Sequence, residues 1–81
     1  MHVREIKAFA SKANLDRQFS GRNAKVVVIL PKDGTDHYVS LRGTTTNKDD
    51  AFVYDYDRDR VAEQCAQVVE MMGVVPRVVE V

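Results

Sequence analysis

The chain has 81 residues, enough for one domain, and its 44% apolar and 30% charged content excludes a disordered tail. Its formal net charge is zero, which argues against a polycation that coats nucleic acid or an acidic membrane. The charge is nevertheless divided along the chain. Residues 1–48 carry nine Lys or Arg against four Asp or Glu (+5), and residues 49–81 carry three against eight (−5). A split of this size favours a dipolar surface with one attractive face.

The single cysteine, Cys65, excludes an intramolecular disulfide and a tetracysteine zinc site. It lies on the apolar stripe of a predicted helix, so we expect a buried packing residue and not a reactive thiol. The sequence opens without the basic and apolar regions of a signal peptide, and its longest apolar run, 26–30, is too short to cross a bilayer. These features predict a cytoplasmic protein that is not bound to a membrane.

The first segment, 2–20, is compatible with two interpretations. Apolar residues recur at helical spacing, at Val3, Ile6, Phe9, Ala10 and Ala13. Alternatively, residues 2–9 form a strand, and Ser11 caps a short helix that follows. Both interpretations predict a helix around 11–18, which the Gly- and Asn-containing stretch 20–23 ends.

Three strands are predicted next. The run 24–30 is β-branched and apolar on both faces, which indicates a central strand. An Asp-Gly turn at 33–34 predicts a hairpin to a second strand, 37–42, with one buried and one wet face. The polar stretch 43–50 reads as a loop, and alternation over 51–56 predicts a third strand.

The last part of the chain predicts a helix and a strand. Asp57 or Asp59 is placed to cap the helix, and Gly73 to end it. Its apolar stripe comprises Val61, Cys65, Val68 and Met72. The segment 74–81 reads as a strand that lies at an edge or begins after Pro76, since proline cannot donate to the ladder.

The order of elements is α-β-β-β-α-β, or βαβββαβ if residues 2–9 form a strand. It predicts a single α+β domain over residues 1–81. About four strands would form an antiparallel or mixed sheet on which two helices pack.

No linear motif of an enzyme, a phosphate-binding loop or a metal site occurs. The carboxylates of Asp55, Asp57 and Asp59 alternate as at the start of an EF-hand loop. Arg60 and Ala66, however, stand where that loop needs Gly and Glu. His37 has no nucleophile paired with it by spacing. The sequence therefore predicts no enzyme, no cofactor and no metal ion.

The aromatic and acidic segment 49–59 is the strongest candidate for a binding surface. Phe52, Tyr54 and Tyr56 share one face, which forms part of the core if a helix covers it. If that face is open, it forms a protein-binding surface, because tyrosine is enriched at the centres of interfaces, and carboxylates beside it would select a basic partner. We therefore predict a protein-interaction module, with a homodimer as one version of it, whose partner-binding residues are Tyr54, Asp55, Tyr56, Asp57 and Asp59. Small motif-free chains of this class are common among phage and mobile-element proteins that inhibit a host protein, and that role is one version of the prediction.

The alternative is a nucleic-acid-binding domain that uses the basic N-terminal half, at Arg17, Arg22, Lys25 and Lys32. The order helix, three strands, helix is similar to that of double-stranded RNA-binding domains. Those domains place lysines at the start of the last helix. Here that position reads Asp57-Arg58-Asp59-Arg60 with acidic surroundings, so the sequence is not assigned to that family.

Overall fold

The computed structural model describes residues 11–81, and the alternative between helix and strand for residues 2–9 lies outside them. A 3-10 turn, Lys48–Asp50, separates the third and fourth strands. The other elements, in chain order, are α1 (Lys12–Phe19), β1 (Lys25–Lys32), β2 (Thr35–Ser40), β3 (Gly43–Thr45), β4 (Tyr54–Asp55), α2 (Val61–Met72) and β5 (Arg77–Glu80). The α+β class and the order of elements are confirmed over this part of the chain, with five strands in the sheet.

The central strand is β1, and every pairing in the sheet is antiparallel. Its residue Val26 pairs with both Tyr54 and Glu80, so β4 and β5 lie on opposite edges of β1. Ile29 pairs with β2 and β5 in the same way. Consequently β2 and β4 lie on the same edge of β1. On that edge β2 pairs with the C-terminal half of β1, and β4 pairs with the N-terminal half of β1.

The sheet forks where β1 and β2 diverge. The amide of Phe52 donates to the carbonyl of Val39 at 2.9 Å, on the edge of β2 that β1 has left. The chain then runs on into β4, which pairs with β1. The stretch 52–55 thereby fills the fork, and the hairpin of β2 and β3 extends away from the rest of the sheet.

Both helices pack on one face of the sheet. The core on that face is formed by Leu15, Phe19, Ala24, Val26, Val28, Tyr56, Val61, Ala62, Cys65 and Val78. Val27 and Ile29 point to the opposite face, as alternation in a strand requires, and they are buried too. The prediction of a central strand that is apolar on both faces is therefore confirmed.

The local predictions at helix ends and turns are largely confirmed. The Ser11 hydroxyl accepts a hydrogen bond from the amide of Asn14 and caps α1. Positive φ angles of 52° and 77° at Asp33 and Gly34 form the tight turn of the first hairpin. Gly73, with φ 68°, ends α2.

The predicted cap of the second helix is wrong. Arg60 occupies the N-cap position in the left-handed region, with φ 52°, and makes no side-chain capping bond. The two aspartates expected there accept other hydrogen bonds. Asp57 binds the amide of Gly21, and Asp59 binds the amide of Asp55.

Three further predictions need correction. The segment predicted as a polar loop contains β3, because its β-branched threonines pair with the end of β2. The predicted third strand, 51–56, shrinks to the two residues of β4, since the chain turns into the core at Tyr56. Met72, predicted on the buried stripe of α2, is 62% exposed because the helix extends beyond the sheet it covers. No helix among residues 11–81 has the length and apolar character needed to cross a membrane.

Candidate functional site

Asp55, predicted to bind a partner, is buried and carries an internal ion pair. One carboxylate oxygen accepts a hydrogen bond from Lys25 Nζ at 2.9 Å, and the other accepts the amide of Arg58 at 3.1 Å. The hydrogen bond from Lys25, followed by that from Arg58, holds the pKa of Asp55 below its usual value. This carboxylate therefore joins β1 to the turn before α2.

The next two aspartates hold backbone in place. Asp57 accepts hydrogen bonds from the Ser20 hydroxyl at 3.2 Å and from the amide of Gly21, just after α1 ends. Asp59 accepts the amide of Asp55 at 2.7 Å. In sequence, the carboxylates of Asp55, Asp57 and Asp59 alternate as in a calcium-binding loop. In the fold, their hydrogen bonds stabilise the turn 55–59 and attach it to the end of α1.

Tyr56 connects α1 to the core. Only 2% of it is exposed, and its hydroxyl donates to Asp16 at 2.7 Å. Its ring lies 5.4 Å from that of Phe19, centroid to centroid. Burial, followed by the hydrogen bond to Asp16, raises the pKa of Tyr56 far above its usual value. Asp16 also accepts Lys12 Nζ at 2.7 Å, and this bond, followed by that from Tyr56, lowers the pKa of Asp16.

The lowered pKa values of Asp16 and Asp55 predict a loss of stability in acid. A carboxyl group with a depressed folded-state pKa stabilises the fold above its ordinary value near 3.9 and loses that contribution as the pH falls through the folded value. We expect Asp55→Asn to lower the urea midpoint at pH 7, and we expect the difference from wild type to narrow at about pH 2–3.

The control for this prediction is Asp49→Asn. Within residues 11–81 the Asp49 carboxylate accepts no hydrogen bond or ion pair, so the variant should track wild type at both pH values. A difference between Asp55→Asn and wild type that is equally large at both pH values would contradict the assignment.

The four basic residues proposed for nucleic acid have different surroundings. Arg22 donates to both carboxylate oxygens of Glu80, at 3.2 and 2.9 Å, and Lys25 pairs with Asp55. Arg17 and Lys32 are exposed and form no ion pair within residues 11–81. Two of these four cations are therefore neutralised by carboxylates from the acidic half of the chain. A further ion pair between the two halves joins Lys12 Nζ to Glu63 Oε1 at 3.7 Å.

An open groove of about 540 Å³ lies beside the fork. One wall is the end of the β2–β3 hairpin, and the other is the segment 50–53. The lining residues are Ser40, Leu41, Arg42, Thr44, Thr45, Asp50, Ala51, Phe52 and Val53. We call this feature the hairpin groove.

The hairpin groove exposes apolar side chains that sequence reasoning did not select. Leu41 is 83% exposed at the hairpin turn, and Val53 is 48% exposed on the facing wall. Phe52 stacks edge-on against Tyr54 with ring centroids 4.6 Å apart. The sequence pattern predicts Leu41 within the strand 37–42. In the structure β2 ends at Ser40, so Leu41 lies in the turn that follows.

A smaller apolar cavity of about 100 Å³ lies between β2 and α2. It is lined by Val28, Val39, Tyr54, Val61, Gln64, Cys65 and Val68. Burial raises the pKa of the Cys65 thiol to about 11, and burial is also the main cause of a raised pKa at Tyr54. Val39 and Tyr54, which line this cavity, are half-buried and pack against the core.

The described residues offer no grouping of three or more His, Cys, Asp or Glu side chains suited to a metal ion. His37 lies half-buried in β2, opposite Leu30 of β1. Comparison of the chain with protein-family models, with curated proteins and with solved structures gave no match.

Proposed function

We propose that this protein is a non-enzymatic protein-interaction module that binds a partner protein through the hairpin groove. The observation that carries the proposal is the exposure of Leu41 and Val53 on the two walls of one concave surface. Contiguous exposed apolar surface with a polar rim is typical of protein-binding sites. Phe52 adds an aromatic side chain of the kind that is enriched at interface centres.

The aromatic and acidic segment 49–59 has two parts with different roles in this proposal: the first contacts the partner, and the second supports the first. The first part, 49–54, supplies Phe52 and the carboxylate of Asp50 to the lining of the groove. The second part, 55–59, supplies the internal hydrogen bonds that hold the turn before α2. Asp55, Tyr56, Asp57 and Asp59 would then support the binding surface from behind.

The proposed mechanism is occlusion of a partner's surface, which suits an inhibitor of the phage or mobile-element kind. A domain this small has little space for an enclosed active site, whereas an open groove needs no enclosure. We place the protein in the cytoplasm, where thiols stay reduced, because its one cysteine has no disulfide role.

The nucleic-acid alternative receives less support from the contacts. Binding to phosphate needs cations that are available to replace counterions. Arg22 and Lys25 are already paired with Glu80 and Asp55, which leaves Arg17 and Lys32 of the predicted set.

The proposal is tested by site-specific photo-crosslinking in cells that express the protein. A benzophenone amino acid replaces Leu41 in one variant and Val53 in a second, and Lys32 in a control variant. Lys32 is exposed at the end of β1 and lies outside the hairpin groove. We expect discrete protein adducts from positions 41 and 53 and none from position 32.

Each outcome distinguishes the candidates. Identical adduct patterns from all three positions would mean that the groove is not a specific surface and would overturn the proposal. Adducts to RNA or DNA from position 32, with none from the groove, would favour the basic alternative. Thermal unfolding of each variant establishes that the substituted protein is folded.

A further inference from the structure

The two walls of the hairpin groove carry opposite charge. The hairpin wall presents Arg42 beside the protruding Leu41, and within residues 11–81 Arg42 forms no ion pair or side-chain hydrogen bond. The facing wall presents Phe52 and Val53, next to Asp50. One carboxylate oxygen of Asp50 accepts a hydrogen bond from Asn47 Nδ2 at 3.1 Å, and Asp50 forms no ion pair within residues 11–81. The hairpin wall therefore carries the exposed side chain of Leu41 beside a cation, and the facing wall carries apolar side chains beside a carboxylate.

These two walls complement each other across a two-fold axis. In a symmetric dimer the same patch faces itself after a half-turn. When the two-fold axis runs along the groove, each wall of one copy meets the opposite wall of the other. Leu41 of each copy would then contact Phe52 and Val53 of its neighbour. Arg42 would approach Asp50 of the neighbour, and the pairing would occur twice.

We propose that the occupant of the hairpin groove is a second copy of this chain, held by two reciprocal pairs of Arg42 with Asp50. This inference rests on the proposed function, because it takes the groove as a protein-binding surface. The second copy must leave the groove before a different partner protein can enter it. A standard interface removes about 800 Å² from each partner, and the groove is a small part of a total surface of 5655 Å². We therefore expect a weak dimer, with Kd of about 10–100 µM.

Charge reversal provides a sharp test, because the two pairs are equivalent by symmetry. In a homodimer of Arg42→Asp, an aspartate at position 42 of each copy faces Asp50 of the other copy. In a homodimer of Asp50→Arg, an arginine at position 50 of each copy faces Arg42 of the other copy. Each variant by itself should dimerise at least about tenfold more weakly than wild type. An equimolar mixture of the two variants restores both pairs in a heterodimer and should return Kd to within about threefold of wild type.

The measurement is sedimentation velocity over about 5–500 µM protein, with native mass spectrometry to identify the heterodimer. Lys32→Asp is the matched control, since it makes the same charge change outside the groove. Leu41→Asp tests the apolar contact without touching either charged residue, and it should also give a monomer. Circular dichroism establishes that every variant keeps the wild-type fold.

The outcomes separate this inference from the proposed function. A wild-type protein that stays monomeric at 500 µM overturns the dimer, and so does a mixture that dimerises no better than its components. If groove positions still form adducts with another protein, the proposed function survives that result. Absence of both self-association and groove adducts overturns both. Recovery of the dimer in the mixture supports the reciprocal pairing.

Discussion

Replacing Leu15 by alanine is expected to lower the free energy of unfolding by about 2–5 kcal/mol, the usual range for a fully buried leucine. Leu15 is 1% exposed and, with Phe19, is one of two residues that α1 contributes to the core. An 81-residue domain has a total stability of about 4–12 kcal/mol. The loss is therefore a large fraction of the total stability, and it should lower the urea midpoint markedly.

Urea denaturation followed by circular dichroism measures this effect, and Gln18→Ala is the matched control. Gln18 lies on the exposed side of the same helix, so its replacement should change stability by less than about 0.5 kcal/mol. If Leu15→Ala and Gln18→Ala had equal midpoints, the packing of α1 on the sheet would be wrong.

The Cys65 thiol is expected to react at least about a hundredfold more slowly in the folded protein than in the unfolded chain at pH 8. Burial raises its pKa from 9.0 to about 11, and each unit reduces the thiolate fraction at that pH about tenfold. The thiol also lies among core residues of α2 and β1, where a reagent cannot reach it without local opening.

Labelling with a chromogenic disulfide reagent, with and without guanidinium chloride, gives the two rates. A small-molecule thiol under the same conditions controls for the effect of guanidinium on the reagent. Folded-state labelling as fast as that of the unfolded chain would show that the cavity beside Val61 and Val68 opens readily, and it would contradict the packing of α2.

Much of the fold was readable in the sequence, because its signals are local. The apolar run in β1, the Asp-Gly turn and the Gly73 helix end each act through their own backbone conformation or burial. The strand β3 was missed because its threonines are polar, although they are β-branched and complete a hairpin. A sequence pattern weighs polarity over several residues and cannot register a pairing with a neighbouring strand.

The binding residues were harder to predict, since partners distant in sequence decide whether a side chain is available. Asp57 looked available for a partner until the fold brought Ser20 and Gly21 to it, which lie 37 and 36 residues away in the sequence. Tyr56 lies in the core beside Phe19, and Tyr54 packs against the same core cluster. The exposure of Leu41 was not predicted either, because it follows from where β2 ends.

The ion pairs between the two halves of the chain bear on how the molecule responds to salt. Lys12–Glu63, Arg22–Glu80 and Lys25–Asp55 each join a cation from the +5 half to a carboxylate from the −5 half. Part of the separated charge is thus neutralised within the molecule when the chain folds. Ionic strength then modulates the collapse of this polypeptide as well as its encounters with other molecules.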